Sequence, residues 1–118
     1  MTPYALRPAQ VEGAWNESGR SPSVWDTLTH TPGKVKNNDN GDVACDHFHK
    51  FREDFKLMKD LGIKNYRFSF SWSRILPDGV RGSGVNFQGI AFYNAMIDSM
   101  IENEYNCLLR QPRHSVLR

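Results

Sequence analysis

Asn65-Tyr66-Arg67-Phe68-Ser69-Phe70-Ser71-Trp72 alternates aromatic and polar side chains from Tyr66 onward. Successive side chains of an extended strand point to opposite faces, so Tyr66, Phe68, Phe70 and Trp72 share one side, and Arg67, Ser69 and Ser71 the other. A helix is predicted on either flank. Upstream, Phe48, Phe51, Phe55, Met58 and Leu61 recur at steps of three or four, with Asp42 as the expected N-cap and Gly62 as the stop. Downstream, a loop from Pro77 to Gly84 leads to Asn86 as N-cap, and Ile90, Tyr93, Ile97 and Met100 or Ile101 mark one helical face. Gln10 to Arg20 reads as a strand end passing into a loop. Strand end, helix, strand, helix is the order of βα repetition, which predicts an α/β fold with a parallel sheet.

Parallel strands normally have both faces covered, so a face bearing Arg67 and two serines needs a reason. In a closed parallel barrel the aromatics would point out to the helices and the polar face toward the axis, near the mouth where catalysis takes place. An edge strand with one wet face satisfies the same pattern. The connection from Ser21 to Asp42 carries Pro22, Pro32, Gly33, Gly41 and the polar run Lys36 to Asn40. Its length exceeds the usual loop, which predicts an irregular functional loop or local disorder.

Bulk properties narrow the partners. The chain has 118 residues and a net charge of +2, from 15 Lys plus Arg against 13 Asp plus Glu. That permits one domain at most and provides no strong field toward nucleic acid or an anionic membrane. The two cysteines, Cys45 and Cys107, form neither a disulfide framework nor a metal knuckle. Met1 to Ala9 lacks the pattern of a secretory signal, and no apolar run reaches the length of a membrane span. A cytoplasmic, reducing location is the resulting expectation. Asn16-Glu17-Ser18 fits the glycosylation sequon, a short motif that often arises by accident.

Several separated motifs point to one family. They are Gln10-Val11-Glu12-Gly13-Ala14-Trp15-Asn16-Glu17, Pro22-Ser23-Val24-Trp25-Asp26, Asn40-Gly41-Asp42-Val43-Ala44-Cys45-Asp46-His47, Tyr66 through Pro77, and Gly89-Ile90-Ala91-Phe92-Tyr93-Asn94. Over residues 10–103 the sequence resembles the N-terminal part of glycoside hydrolase family 1, the β-glucosidase, lactase and klotho-like group. The resemblance implies a partial (β/α)₈ TIM barrel, roughly its first two βα units. It also implies retaining hydrolysis of a β-glycoside or oligosaccharide, in which one carboxylic acid protonates the leaving oxygen and a second carboxylate attacks the anomeric carbon. No metal or cofactor is implied.

By the same resemblance, Gln10 hydrogen-bonds hydroxyls of the sugar, a task that suits an amide because it donates and accepts together. Arg67 would stand beside the nucleophilic carboxylate and keep it ionised; the alternative is a structural salt bridge. Neither of the family's catalytic glutamate motifs occurs in the 118 residues. Asn103-Glu104 has the right pair of residue types, but Tyr105 follows it and it falls at the end of a helix. The chain is therefore expected to lack catalytic competence alone. Two other readings are a non-catalytic carbohydrate-binding or regulatory remnant and a fragment that self-associates through exposed barrel edges.

Other residues invite site assignments with less support. Cys45, Asp46, His47 and His49 are ligand types, but their spacing does not suit a standard zinc site and no metal is expected. Glu12 and Glu17 could be offered as an acid and nucleophile pair, though nothing in the sequence holds them at the necessary separation. Trp25 and Trp72 are expected in the core, and Trp15 is left open between core and sugar platform. Residues 1–9 carry two prolines where the family has an apolar strand, and residues 104–118 lose the family pattern. Loss at both ends is what a frameshifted or mispredicted reading, or a truncated gene, would produce.

Overall fold

A computed structural model describes residues 11–79 and 84–110, with side chains as far as Tyr105. Helix α1 is Val24–His30, a 3₁₀ turn follows at Lys36–Asn38, and helix α2 is His47–Asp60. Strand β1 is Asn65–Ser69, α3 is the short helix Trp72–Ile75, α4 is Phe87–Glu102, and strand β2 is Asn106–Arg110. The strands are parallel and in register from Asn65 opposite Asn106 to Ser69 opposite Arg110. With α3 and α4 between them they form a βαβ unit, and α2 precedes it.

The aromatic row of β1 faces the helices. Tyr66 packs edge-on against Phe55 of α2 at 5.2 Å between ring centroids, and Phe68 and Phe70 lie 6.4 and 4.7 Å from Tyr93 of α4. Phe48 and Phe51 of α2 meet Phe92 of α4 at 4.4 and 5.7 Å. Phe55, Met96 and Met100 close this core with almost no exposure. Each such side chain contributes on the order of 1.5–3 kcal/mol when fully buried, so the two helices hold to the strand chiefly through these rings.

Helix α2 ends where Gly62 predicts. The Gly62 amide donates to the Lys59 carbonyl at 2.9 Å and the Ile63 amide to Met58 at 3.0 Å, the paired bonds of a Schellman stop. Its start differs from expectation. Asp46, not Asp42, is the N-cap residue, in left-handed backbone at φ 54. The Asp42 carboxylate instead holds His30 at 2.6 Å.

The stretch from Ser21 to Asp42 is more ordered than its prolines and glycines predict. Ser23 and Asp26 form a reciprocal capping box that starts α1, with the Ser23 amide donating to the Asp26 carboxylate at 2.6 Å. Val11 has helical rather than extended backbone. β1 stops at Ser69, so Ser71 becomes the N-cap of α3 and Trp72 leaves the aromatic row to begin that helix. At the other end, Tyr105 is buried and donates its hydroxyl to the Phe55 carbonyl at 2.6 Å. The segment after it, assigned to a divergent tail by its sequence, pairs as β2.

Trp25, expected inside, is 47% exposed on α1, whereas Trp72 is half-buried. Leu57, Leu61, Phe87 and Ile101 are also exposed. No helix among the described residues is long and apolar enough to cross a membrane.

Helix α4 lies against α3 so closely that a Cβ on Gly89 would stand 2.3 Å from the Arg74 carbonyl oxygen. Gly89→Ala is therefore expected to cost about 1–3 kcal/mol, against the usual gain from alanine in a helix. A lowered urea midpoint, with helical circular dichroism retained, checks it.

Candidate functional site

Arg67 lies in the middle of β1, opposite Leu108 of β2. Strand alternation sets it on the face away from the aromatic row, and it is half-buried there. Its side chain forms no hydrogen bond or ion pair with another described residue, so the structural salt bridge raised above has no partner among them. Ser69 shares its face. Gln10, the other residue singled out for sugar recognition, lies outside the described residues.

The segment that follows Gln10 is held by a buried arginine. Arg74, on α3 and wholly excluded from solvent, reaches the Glu12 carboxylate at 3.3 Å and the backbone carbonyls of Glu17, Gly13 and Ala14 at 3.2, 3.4 and 3.3 Å. Its guanidinium also lies over the Phe48 ring at 4.4 Å. The other oxygen of Glu12 accepts from the Tyr93 hydroxyl at 2.7 Å, and that hydroxyl accepts from the Ser71 amide at 2.7 Å. Ser71 Oγ in turn accepts from Arg20 Nε at 3.3 Å, and Arg20 pairs with Asp26 at 2.8 Å and with the Trp15 carbonyl. One polar chain thus ties the 12–20 segment to α1, α3 and α4.

Such a chain is stable only if each charge finds partners, because an unpaired ion in this setting costs several kcal/mol. Burial pushes the Glu12 carboxyl above the usual carboxylate range, against the opposing pull of Arg74 and Tyr93. Burial likewise raises the Tyr93 hydroxyl, and the neighbouring Glu12 charge adds to it. For Asp26, burial disfavours the charge, but the Ser23 hydroxyl and amide and the Arg20 guanidinium outweigh it and hold the carboxyl below its ordinary range. The backbone is cramped here as well. Gly13 has φ +64, and a Cβ on it would stand 2.1 Å from the Val43 carbonyl oxygen, so the segment closes directly onto the chain before α2.

The network was not legible in advance, although most of its members stand in the quoted motifs. Arg74 is a charged residue set directly before the apolar pair Ile75-Leu76, and that was the available signal. Glu12 and Glu17 do not form a catalytic pair. Glu12 is inside the network, whereas the Glu17 carboxylate is half-exposed and holds His49 at 2.9 Å. His49 also bonds Asp46 at 2.6 Å, and these two bonds raise its pKa.

His47 turns inward, to Asp54 at 2.6 Å and the Tyr66 hydroxyl at 3.3 Å. Among the described residues, no three His, Cys, Asp or Glu side chains come together as a metal would require. The Glu104 side chain is 84% exposed at the end of α4, with Lys59 at 4.0 Å. Trp15 is half-buried, its ring meeting His30 edge-on at 4.6 Å.

An αβαβ succession with parallel strands, aromatics outward to the helices and a cation on the opposite face defines a stretch of α/β-barrel wall. The chain belongs to glycosyl hydrolase family 1, whose family model matches residues 4–109. It is 56% identical over 95 residues to furostanol glycoside 26-O-beta-glucosidase of Hellenia speciosa, covering 80% of this chain and 17% of that protein. It is 53% identical over 97 residues to lactase/phlorizin hydrolase of Rattus norvegicus, covering 81% of this chain and 5% of that one.

Among solved structures, the family 1 β-glucosidase from Thermotoga maritima superposes with a TM-score of 0.84 at 46% identity, over 89% of this chain and 23% of that chain. The virulence factor SghA, solved with its substrate analogue salicin, gives a TM-score of 0.86 at 38% identity, over 92% and 24%. The chain spans about a fifth of the length of most of these relatives, and no barrel closes within the described residues. The relatives are TIM-barrel glycosidases, so the α/β partial barrel read from the motifs is the fold observed.

Two predictions come from the network. Arg74→Met leaves Glu12 buried without its cation and is expected to cost about 3–5 kcal/mol, with Arg74→Met/Glu12→Gln recovering at least about 1 kcal/mol; denaturant unfolding of the set measures both. Because the folded-state pKa of Asp26 lies below the ordinary aspartate value of 3.8, its stabilisation is present above that pH and is lost as pH falls through the depressed value. Asp26→Asn should remove that part of the acid limb and leave the curve above pH 5 parallel, in urea titrations repeated across about pH 2–6.

Proposed function

We propose that this chain forms part of the wall of a retaining β-glycosidase active site, and that its residues act on β-glucosides together with carboxylates carried by other sequence. The observation that carries the reading is Arg67, a half-buried cation without a described partner, in a chain of family 1 membership. An opposite charge nearby lowers a carboxylate pKa, so a cation held on that face would keep a nucleophile ionised and oriented. Gln10 would bind sugar hydroxyls from the segment that Arg74 anchors. The names of the relatives, β-glucosidases and a lactase, support a β-glycoside or oligosaccharide as substrate.

Catalysis in this family's manner requires an acid and a nucleophile about 5 Å apart. Glu12 is committed to Arg74 and Tyr93, and Glu17 to His49. The 118 residues alone are therefore expected not to hydrolyse an aryl β-glucoside above the buffer rate. In a longer polypeptide that completes the barrel, Arg67→Ala should lower kcat/KM by about 10²-fold or more. Hydrolysis by the purified chain, abolished by Arg67→Ala, would overturn the division of labour.

The exposed Trp25, Leu57, Leu61, Phe87 and Ile101 support self-association of the isolated chain. Light scattering should show a mass that grows with concentration, and a monomer with a cooperative thermal transition would contradict it.

A further inference from the structure

Asn40 is the one asparagine in the sequence followed by glycine, and it is exposed in the loop between the 3₁₀ turn and α2. Its side-chain oxygen already accepts a hydrogen bond from the Asp42 amide at 3.2 Å. That bond polarises the side-chain carbonyl and stands where negative charge would collect if a nucleophile added to its carbon. The nucleophile next along the chain is the backbone nitrogen of Gly41. With no Cβ on Gly41, little opposes the approach of that nitrogen.

From this juxtaposition we propose that Asn40 is a self-modification site, at which the chain converts its own asparagine to aspartate and isoaspartate. The Gly41 nitrogen loses its proton to hydroxide and bonds to the Asn40 Cγ, generating an oxyanion held by the Asp42 N–H. The Cγ–Nδ2 bond then breaks, and nitrogen leaves as ammonia after taking up a proton from water. Water opens the resulting cyclic imide at either carbonyl. Attack at one returns the ordinary backbone with a carboxylate at 40, and attack at the other passes the backbone through the side chain and lengthens it by a methylene.

Both products place a new negative charge two residues from Asp42, which holds His30 at 2.6 Å, and His30 abuts the Trp15 ring at 4.6 Å. The modification is thereby wired to the 12–20 segment. Neither step depends on glycosidase activity, so the proposal stands or falls separately from the function given above.

The test is to incubate the purified chain at mildly alkaline pH, with and without urea, and follow all asparagines by peptide mapping with isoaspartate detection. Position 40 is expected to convert before any other asparagine, and about tenfold faster folded than in urea, because only the folded loop supplies the Asp42 amide. Asp42→Pro, which removes that donor, should bring the folded rate down to the urea rate, whereas Asp42→Asn, which keeps it, should not. Tryptophan emission should shift in step with conversion. Equal rates in the folded and unfolded chain, or earlier conversion at another asparagine, would overturn the proposal.

Discussion

A guanidinium without solvent contact must be surrounded by acceptors, and the structure is arranged around that requirement at Arg74. Its side chain satisfies the Glu12 carboxylate and backbone carbonyls of the 12–20 segment while its own backbone lies under Gly89 of α4. The same residue therefore sets how close the helix after β1 comes and how the motif before α1 folds back. An apolar side chain there would leave the Glu12 charge and several carbonyls unpaired in a low-dielectric interior, a far larger penalty than the net worth of any one of these bonds.

The remaining elements add to this hub in order of distance. Tyr93 links it to the aromatic core through the Glu12 oxygen and the Ser71 amide, so the polar chain and the packed rings share a residue. Arg20 extends it to α1 through Asp26. The proposed function lies on the other face of the strand. Arg67 projects away from the core that Phe68 builds, and the anchored 12–20 segment continues from Gln10. A barrel enzyme gains from such a division, because groups meant for substrate are held by elements whose stability comes from elsewhere.

Much of this was readable from periodicity. The step of two in Tyr66, Phe68 and Phe70 and the step of three or four in Phe48, Phe51 and Phe55 report burial directly, because one face of each element must be apolar. Features set by tertiary pairing were not. Arg74 and Glu12 are 62 residues apart, and no local pattern states that they meet. The α1 helix was hidden by the prolines and glycines around it, although Ser23 and Asp26 carried its capping signal. Trp72 kept the parity of the strand in sequence and lost it in space, because the chain turns into α3 after Ser71. Trp25 shows the converse limit: its apolar character predicts burial, yet it stays 47% exposed on α1.

Amide hydrogen exchange measures the central claim, that the Arg74 network holds the motif segment as firmly as the core. The Arg20 amide bonds Glu17, and the Phe48 amide bonds the Glu12 carbonyl at 3.0 Å. Both should exchange within about tenfold of the α4 amides in the native chain, opening with the core as one cooperative unit. Arg74→Lys should free them while α4 stays protected. Exchange at these amides as fast as in an unstructured chain, with α4 protected and Arg74 intact, would contradict it.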